Sequence, residues 1–424
     1  MVTLEAFQIN GPARPRGNVA ISGAKNAALP ALAASLLTAE TISLGNVPDV
    51  YDIRTFARLL RGMGAEVQLE APRCSLTASN LNNPEAPYDL VRTMRASILV
   101  LCPLVARCGR ARVSLPGGCA IGVRPVDMHL EGLELMGARI KVEHGYILAE
   151  TDGLKPIDYT FRLKTVTGTE NLMMAAALID GETRLANCAE EPEVIFMAEM
   201  LRTMGAEVQG DGTDNIMIHG KSRLSGGSFS IIPDRIEAGT YLFLAAALPD
   251  SEVTLTGIET DHLGAVIQKL SRIGADIETK DEGVRINGHR NLAAQHMDTA
   301  PYPGFPTDLQ AQYMALMTQA SGTSVIHESI FENRFQHVAE LSRMGADIKL
   351  SGAQATVIGP SRLSGANVTA SDLRASASLV IAGLAAEGTT VVRRIYHLDR
   401  GYSSMEQKLQ ALGCDVTRIK VDHA

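Results

Sequence analysis

Met63-Gly64-Ala65-Glu66-Val67 returns five more times along this chain. The later copies are Met136-Gly137-Ala138-Arg139-Ile140, Met204-Gly205-Ala206-Glu207-Val208, Ile273-Gly274-Ala275-Asp276-Ile277, Met344-Gly345-Ala346-Asp347-Ile348 and Leu412-Gly413-Cys414-Asp415-Val416. The glycines lie 73, 68, 69, 71 and 68 residues apart. A period this regular marks six copies of one structural unit. Solenoid repeats are usually shorter, about 20–50 residues, so closed domains are expected here.

Working outward from Gly205 shows what one copy contains. Residues 172–179 (LMMAAALI) are apolar all round, which marks a helix buried on every side. Asp180-Gly181 stops it, residues 183–186 read as a strand, and 187–191 form a loop. Pro192 suits a first helical turn. Val194, Met197, Ala198, Leu201 and Met204 then make one stripe of an amphipathic helix. Gly205 stands just past its end, and residues 207–209 open another strand.

The other buried helices are expected at 27–37, 96–106, 241–248, 311–320 and 375–386. A helix with no polar face must lie inside something. Three of them at the middle of a ring, with sheets and amphipathic helices outside, is the economical packing. The expected fold is therefore α/β, with two pseudo-threefold domains of three copies each. The split is expected near Ile232-Pro233, the first domain being 25–232. The second takes 1–24 with 233–424, because the strand-like residues 6–9 have no copy of their own. The chain would then cross between domains twice.

Apolar residues make up 46% of the 424 and charged residues 20%, the composition of an ordinary globular protein. The net charge of −8 argues against a nucleic-acid or anionic-membrane partner. It leaves room for small anionic substrates where basic residues gather locally. The longest apolar run, about 96–106, is too short to span a membrane, and residues 1–10 do not read as a signal peptide. Six scattered cysteines lack metal-ligand spacing and fit a reducing cytoplasm. No metal and no cofactor are expected.

Chemistry is expected where the copies disagree. One exceptional loop is Leu115-Pro116-Gly117-Gly118-Cys119-Ala120-Ile121-Gly122-Val123-Arg124-Pro125-Val126-Asp127. Its glycines allow close backbone approach to a ligand, and nearby Arg124 favours a Cys119 thiolate. The plainer alternative is a small, inert core cysteine. Lys25-Asn26 opens the first buried helix, where free N–H groups, the helix dipole and an ammonium suit an anion. A solvated lysine beside a helix cap fits the local sequence equally well. Asp308 and Asp372 open later buried helices, and from local sequence alone both read as N-caps. Symmetry places these helix starts at corresponding ends of the two domains. Lys25, Arg95, Arg124, Arg334, Arg374 and Arg400 would then converge on one cleft and focus a positive field on a multiply anionic substrate.

Several longer motifs carry a family resemblance. They are SGAKNAALP (22–30), YDLVRTMRAS (88–97), LPGGCAIGVRPVD (115–127), PDRIEAGT (233–240), FPTDLQAQ (305–312), FENRF (331–335), DLRASASL (372–379) and DRGY (399–402). Over nearly the whole chain the sequence resembles the enolpyruvyl transferases related to EPSP synthase, in the branch that acts on UDP-N-acetylglucosamine. The resemblance implies a pair of inside-out α/β barrels, with the first strand in the second domain and the active site in the cleft between them. It implies transfer of the enolpyruvyl group of phosphoenolpyruvate to the sugar 3′-hydroxyl with release of phosphate. The step begins peptidoglycan synthesis in the bacterial cytoplasm, and a monomer is expected.

Position by position, Cys119 matches the family's general acid, which also forms an adduct with phosphoenolpyruvate and is the target of fosfomycin. Lys25, Arg124 and Arg400 match the phosphoenolpyruvate-binding cations, with Asn26 beside Lys25. Asp308 matches the residue that takes the sugar hydroxyl proton. Arg95, Arg124, Pro125, Val126, Asp127, Met128, Lys164, Thr165, Val166, Thr167 and Ile330 match contacts to the UDP-sugar. Arg334, Asp372 and Arg374 complete the expected substrate-binding set. Met128 stands where the family pattern suggests Leu, the Lys164–Thr167 run is one of several versions of its segment, and Ile330 replaces a common Val, which bears on fine contacts and leaves the reaction untouched.

Two other readings compete. The sister transferase acting on shikimate 3-phosphate shares the fold and donor, but its Asn-Ala-Gly-Thr motif is absent here. A non-catalytic UDP-sugar-binding protein would have no use for an acid–base pair such as Cys119 and Asp308.

Overall fold

Each Gly phrase ends its helix in the same way. The computed structural model describes residues 4–92, 94–115, 126–280, 283–288 and 291–421. Gly64, Gly137, Gly205, Gly274, Gly345 and Gly413 all have φ between 80° and 114°. The next residue donates its N–H to a leucine carbonyl five positions back. Ala65 reaches Leu60, Ala138 Leu133, Ala206 Leu201, Ala275 Leu270, Ala346 Leu341 and Cys414 Leu409, at 2.9–3.1 Å. This is a Schellman closure, which satisfies carbonyls left over at the helix end. All six leucines are 0% exposed. The repeated signal is thus longer than the phrase read above, since a buried Leu precedes each Gly by four positions.

The closure can be tested where backbone conformation acts alone. A Cβ at Gly205 would meet nothing within 4 Å, so Gly205→Ala should cost only the left-handed backbone, roughly 1–2 kcal/mol. A Cβ at Gly64 would lie 2.4 Å from the Asn80 carbonyl oxygen, so Gly64→Ala should cost more. Urea unfolding midpoints would rank wild type above Gly205→Ala and Gly205→Ala above Gly64→Ala. A Gly205→Ala midpoint equal to wild type would refute the argument.

The described residues divide into two compact units, one of 4–22 with 233–421 and one of 23–115 with 126–232. Each unit has three four-stranded sheets of one plan. A short edge strand pairs parallel with the strand after the buried helix, and the remaining two pairings are antiparallel. In the unit containing 233–421, the sixth copy supplies only Gly388–Arg393 and Asp415–Val421 to its own sheet beside the edge strand Asn367–Thr369. Its missing strand is Leu4–Gly11, which lies between them, antiparallel to both. Arg16–Ala20 is likewise the parallel edge strand beside Glu252–Thr256 of the fourth copy.

Arg235–Ala247, Gln310–Met317 and Leu373–Ala385 pack on one another at the centre of this unit. Residues 236–247, 310–317 and 374–384 in them are all buried. The other unit has Lys25–Ala34, Leu101–Cys108 and Val166–Ala176 in the equivalent places. The expected helix 96–106 is interrupted, the expected 27–37 turns 3₁₀ over Ser35–Leu37, and the expected 311–320 is α-helical only as far as Met317. Residues 95–100 form a 3₁₀ turn before Leu101–Cys108, and 307–309 form another before Gln310–Met317. Pro103 accounts for the first, because its ring disfavours α-helical geometry at the carbonyl four residues earlier. Among the described residues, no helix is long and apolar enough to cross a membrane.

Candidate active site

Asp308 is not a helix cap. It lies inside the 3₁₀ turn Thr307–Leu309, anchored by Phe305, whose ring stacks on Phe243 at 6.0 Å and meets Tyr313 edge-on at 5.4 Å. One carboxylate oxygen accepts from Arg334 at 2.8 Å and the other from Arg374 at 2.7 Å. The two arginine side chains are 3% and 6% exposed and the Asp308 side chain 25%. Both arginines are therefore buried and paired through the same carboxylate. Burial opposes the charge of Arg374, and Asp308 with Tyr402 and Asp234 more than offsets it, so its pKa is raised. The arrangement fixes an accessible carboxylate between two buried cations, with its orientation set from both sides.

A buried polar row stands behind this carboxylate. Arg374 also donates to the Tyr402 hydroxyl at 3.3 Å, which lies 2.8 Å from the Thr240 hydroxyl. Gln312 donates to Thr240, Tyr402 and the Asp308 carbonyl at 3.0–3.2 Å. The buried Glu328 carboxylate accepts from the Thr307 hydroxyl at 2.9 Å and from the Ile330 and Phe331 N–H groups at 2.9 and 3.2 Å. It thereby ties Ile330, a large apolar residue left 38% exposed, to the turn that carries Asp308. Asp372 keeps its capping role, accepting from the N–H groups of Arg374 and Ala375 at 2.9 and 3.0 Å. Arg400 closes the 3₁₀ turn Ile395–Arg400 and is partly buried.

The other unit holds Lys25, Asn26, Arg95, Val126, Asp127, Met128 and Lys164 to Thr167. Lys25 starts its helix with a side chain 12% exposed, and its ammonium lies 3.3 Å from Asp52, so it is not a solvated lysine. Lys164 pairs with Glu190, and Thr165 caps Val166–Ala176 by accepting from the Gly168 N–H. Asp127 begins the helix Asp127–Leu135 and pairs with Arg162. Slight burial raises the Asp127 carboxyl, but its bonds to Arg162 and Met128 win and hold it below the usual range. Cys119, Arg124 and Pro125 lie outside the described residues.

Sequence reasoning passed over His129 and Asn171. Asn171 Nδ2 donates to the Ile98 carbonyl at 3.0 Å and to His129 Nδ1 at 2.9 Å. The pair joins the elements that begin at Arg95, Asp127 and Val166. Burial depresses the His129 pKa to about 4, against the pull of Asp127. As pH falls from about 6.5 toward 4, the unfolded chain gains a proton here that the folded chain does not, so stability is lost across that window. The loss approaches ~1.4 kcal/mol per pH unit from this residue. His129→Gln should lose stability less steeply with acid between pH 6.5 and 4.5; an unchanged slope in urea titrations would refute the assignment.

Six four-stranded sheets around buried helices, and a carboxylate held between buried arginines at one helix start, define the frame in which relatives can be compared. Residues 9–409 match the family profile described as EPSP synthase (3-phosphoshikimate 1-carboxyvinyltransferase), and the chain belongs to that family. A Desulfosudis oleivorans protein called UDP-N-acetylglucosamine 1-carboxyvinyltransferase is 56% identical over 416 residues, covering 98% of this chain and 100% of the relative. A Desulforapulum autotrophicum protein of the same name is 54% identical over 418 residues, with 98% and 100% covered. Among solved structures, the enolpyruvyl transferase NikO from Streptomyces tendae superposes with a TM-score of 0.90 at 25% identity, covering 99% of this chain and 100% of the other. The fold is that of the enolpyruvyl transferases.

Proposed function

We propose that this chain transfers the enolpyruvyl group of phosphoenolpyruvate to the 3′-hydroxyl of UDP-N-acetylglucosamine and releases phosphate, the opening step of bacterial peptidoglycan synthesis. The observation that carries this reading is the near-complete match, at 56% identity, to a relative bearing that activity as its name. The Asp308 geometry supports it. A carboxylate oriented by Arg334 and Arg374 is a suitable base for a sugar hydroxyl.

In the addition step the hydroxyl oxygen bonds to C2 of phosphoenolpyruvate and its proton passes to Asp308. Cys119 supplies a proton to the methylene carbon. The tetrahedral intermediate carries phosphate and carboxylate on one carbon, so it calls for fixed cations. Lys25, Arg124 and Arg400 fill that role, with Asn26 beside Lys25. Elimination removes a proton from the new methyl group and breaks the bond to phosphate, which restores the double bond. Arg95, Arg124 to Met128, Lys164 to Thr167 and Ile330 contact the UDP-sugar, and Arg334, Asp372 and Arg374 set the Asp308 side of the site.

The test is phosphate release from the full chain with phosphoenolpyruvate and UDP-N-acetylglucosamine, with shikimate 3-phosphate as the competing acceptor. Turnover with the sugar nucleotide alone is expected, and none with that pair would overturn the reading. Cys119→Ala should lose covalent labelling by both phosphoenolpyruvate and fosfomycin. Cys119→Asp should keep some turnover and escape fosfomycin, since a carboxylic acid still donates a proton. A persistent mass adduct on Cys119→Ala would show that another cysteine carries the chemistry.

A further inference from the structure

We propose that Arg418 is a positioning residue for Arg400, fixing the turn that carries it. The inference rests on the reading of Arg400 as a phosphoenolpyruvate-binding cation. Arg418 lies on the strand Asp415–Val421, 19 residues from Asp399 and in none of the motifs that carry the family resemblance. Its guanidinium forks onto the Asp399 carboxylate at 2.9 and 2.7 Å. It also donates to Glu406 at 2.9 Å and to Glu5 at 2.8 Å. Its guanidinium carbon lies over the Phe7 ring, 5.2 Å from its centre, and Phe7 is fully buried.

Asp399 immediately precedes Arg400. On the far side, Gly401 is packed so closely that a Cβ there would lie 2.6 Å from Leu373. Tyr402, 2% exposed, is bonded to Thr240 and Gln312. The backbone of Arg400 is therefore gripped one residue before it and one to two residues after it. The second grip belongs to the Asp308 network. Among the described residues, the first is made by Arg418. Glu5, Asp399 and Glu406 gather three negative charges around one guanidinium, so without Arg418 the Asp399 carboxylate is repelled by its neighbours. Only a planar fork meets both Asp399 oxygens while a third nitrogen reaches Glu406. Arg418 touches no reacting group in this arrangement, and its effect on phosphoenolpyruvate passes through the placement of Arg400.

Steady-state kinetics on the full chain separates this role from a merely structural one. Asp399→Asn, isosteric and the mildest change, should raise KM for phosphoenolpyruvate about 10- to 100-fold, with KM for UDP-N-acetylglucosamine nearly unchanged. Arg418→Gln should do the same, and Arg418→Lys should restore part of the loss. Glu5→Gln removes an exposed partner of the same arginine and should stay within about twofold of wild type. Equal KM values for phosphoenolpyruvate in wild type and Asp399→Asn, or parallel rises for both substrates, would overturn the inference while leaving the proposed activity intact. A wild-type chain without turnover would overturn the proposed activity, and this inference with it.

Discussion

Asp308→Asn is expected to lower kcat by about 10²- to 10⁴-fold, the usual worth of a positioned general base, with smaller changes in either KM. Asn keeps the shape and one acceptor oxygen, so Arg334 or Arg374 retains a partner, but the group no longer takes up a proton. The substitution also leaves two buried guanidinium groups facing a neutral side chain, so some stability is lost as well. Circular dichroism would confirm that the variant is folded before its rate is read. A folded Asp308→Asn variant with wild-type kcat would remove Asp308 from the mechanism.

Arg374→Met should have the largest effect on stability. Arg374 is 5% exposed and bonds Asp308 and Tyr402. Breaking a buried ion pair by removing one partner typically costs about 3–5 kcal/mol, because a charge is left uncompensated. Asp308 is partly exposed and keeps Arg334, which places the expectation near 3 kcal/mol. Urea unfolding would report it as a clearly lowered midpoint, and an unshifted midpoint would refute it. The Asp308→Asn/Arg374→Met double variant should be less destabilised than the sum of the singles, since the second change removes the stranded charge.

The repeat was legible because helix ends obey local rules. A Gly after an amphipathic stripe meant a left-handed turn, and all six glycines adopt it. Buried helices were legible from their lack of a polar face, but the α-helical start of the 96–106 copy was not, since Pro103 changes the local geometry there. The site was legible only in part. Asp308 and Asp372 look alike in sequence, each polar and opening an apolar helix. One caps its helix and the other faces two arginines, and the difference lies in partners 26 and 66 residues away. Glu328, Asn171 and Arg418 gave no local signal at all. Each acts through contacts that only the folded chain brings together.

The strand Leu4–Gly11 has a consequence for biosynthesis. Its neighbours in the sheet are Gly388–Arg393 and Asp415–Val421, and Asn10 bonds Asp415 across 405 positions of sequence. At about 5–20 residues per second the ribosome needs roughly 20–80 s to make that stretch. Throughout that time a β-forming segment waits without its partners, while all of 23–232 is translated and free to fold ahead of the unit that encloses it in sequence. That strand is therefore among the last elements to be ordered, although it is made well before both of its sheet neighbours.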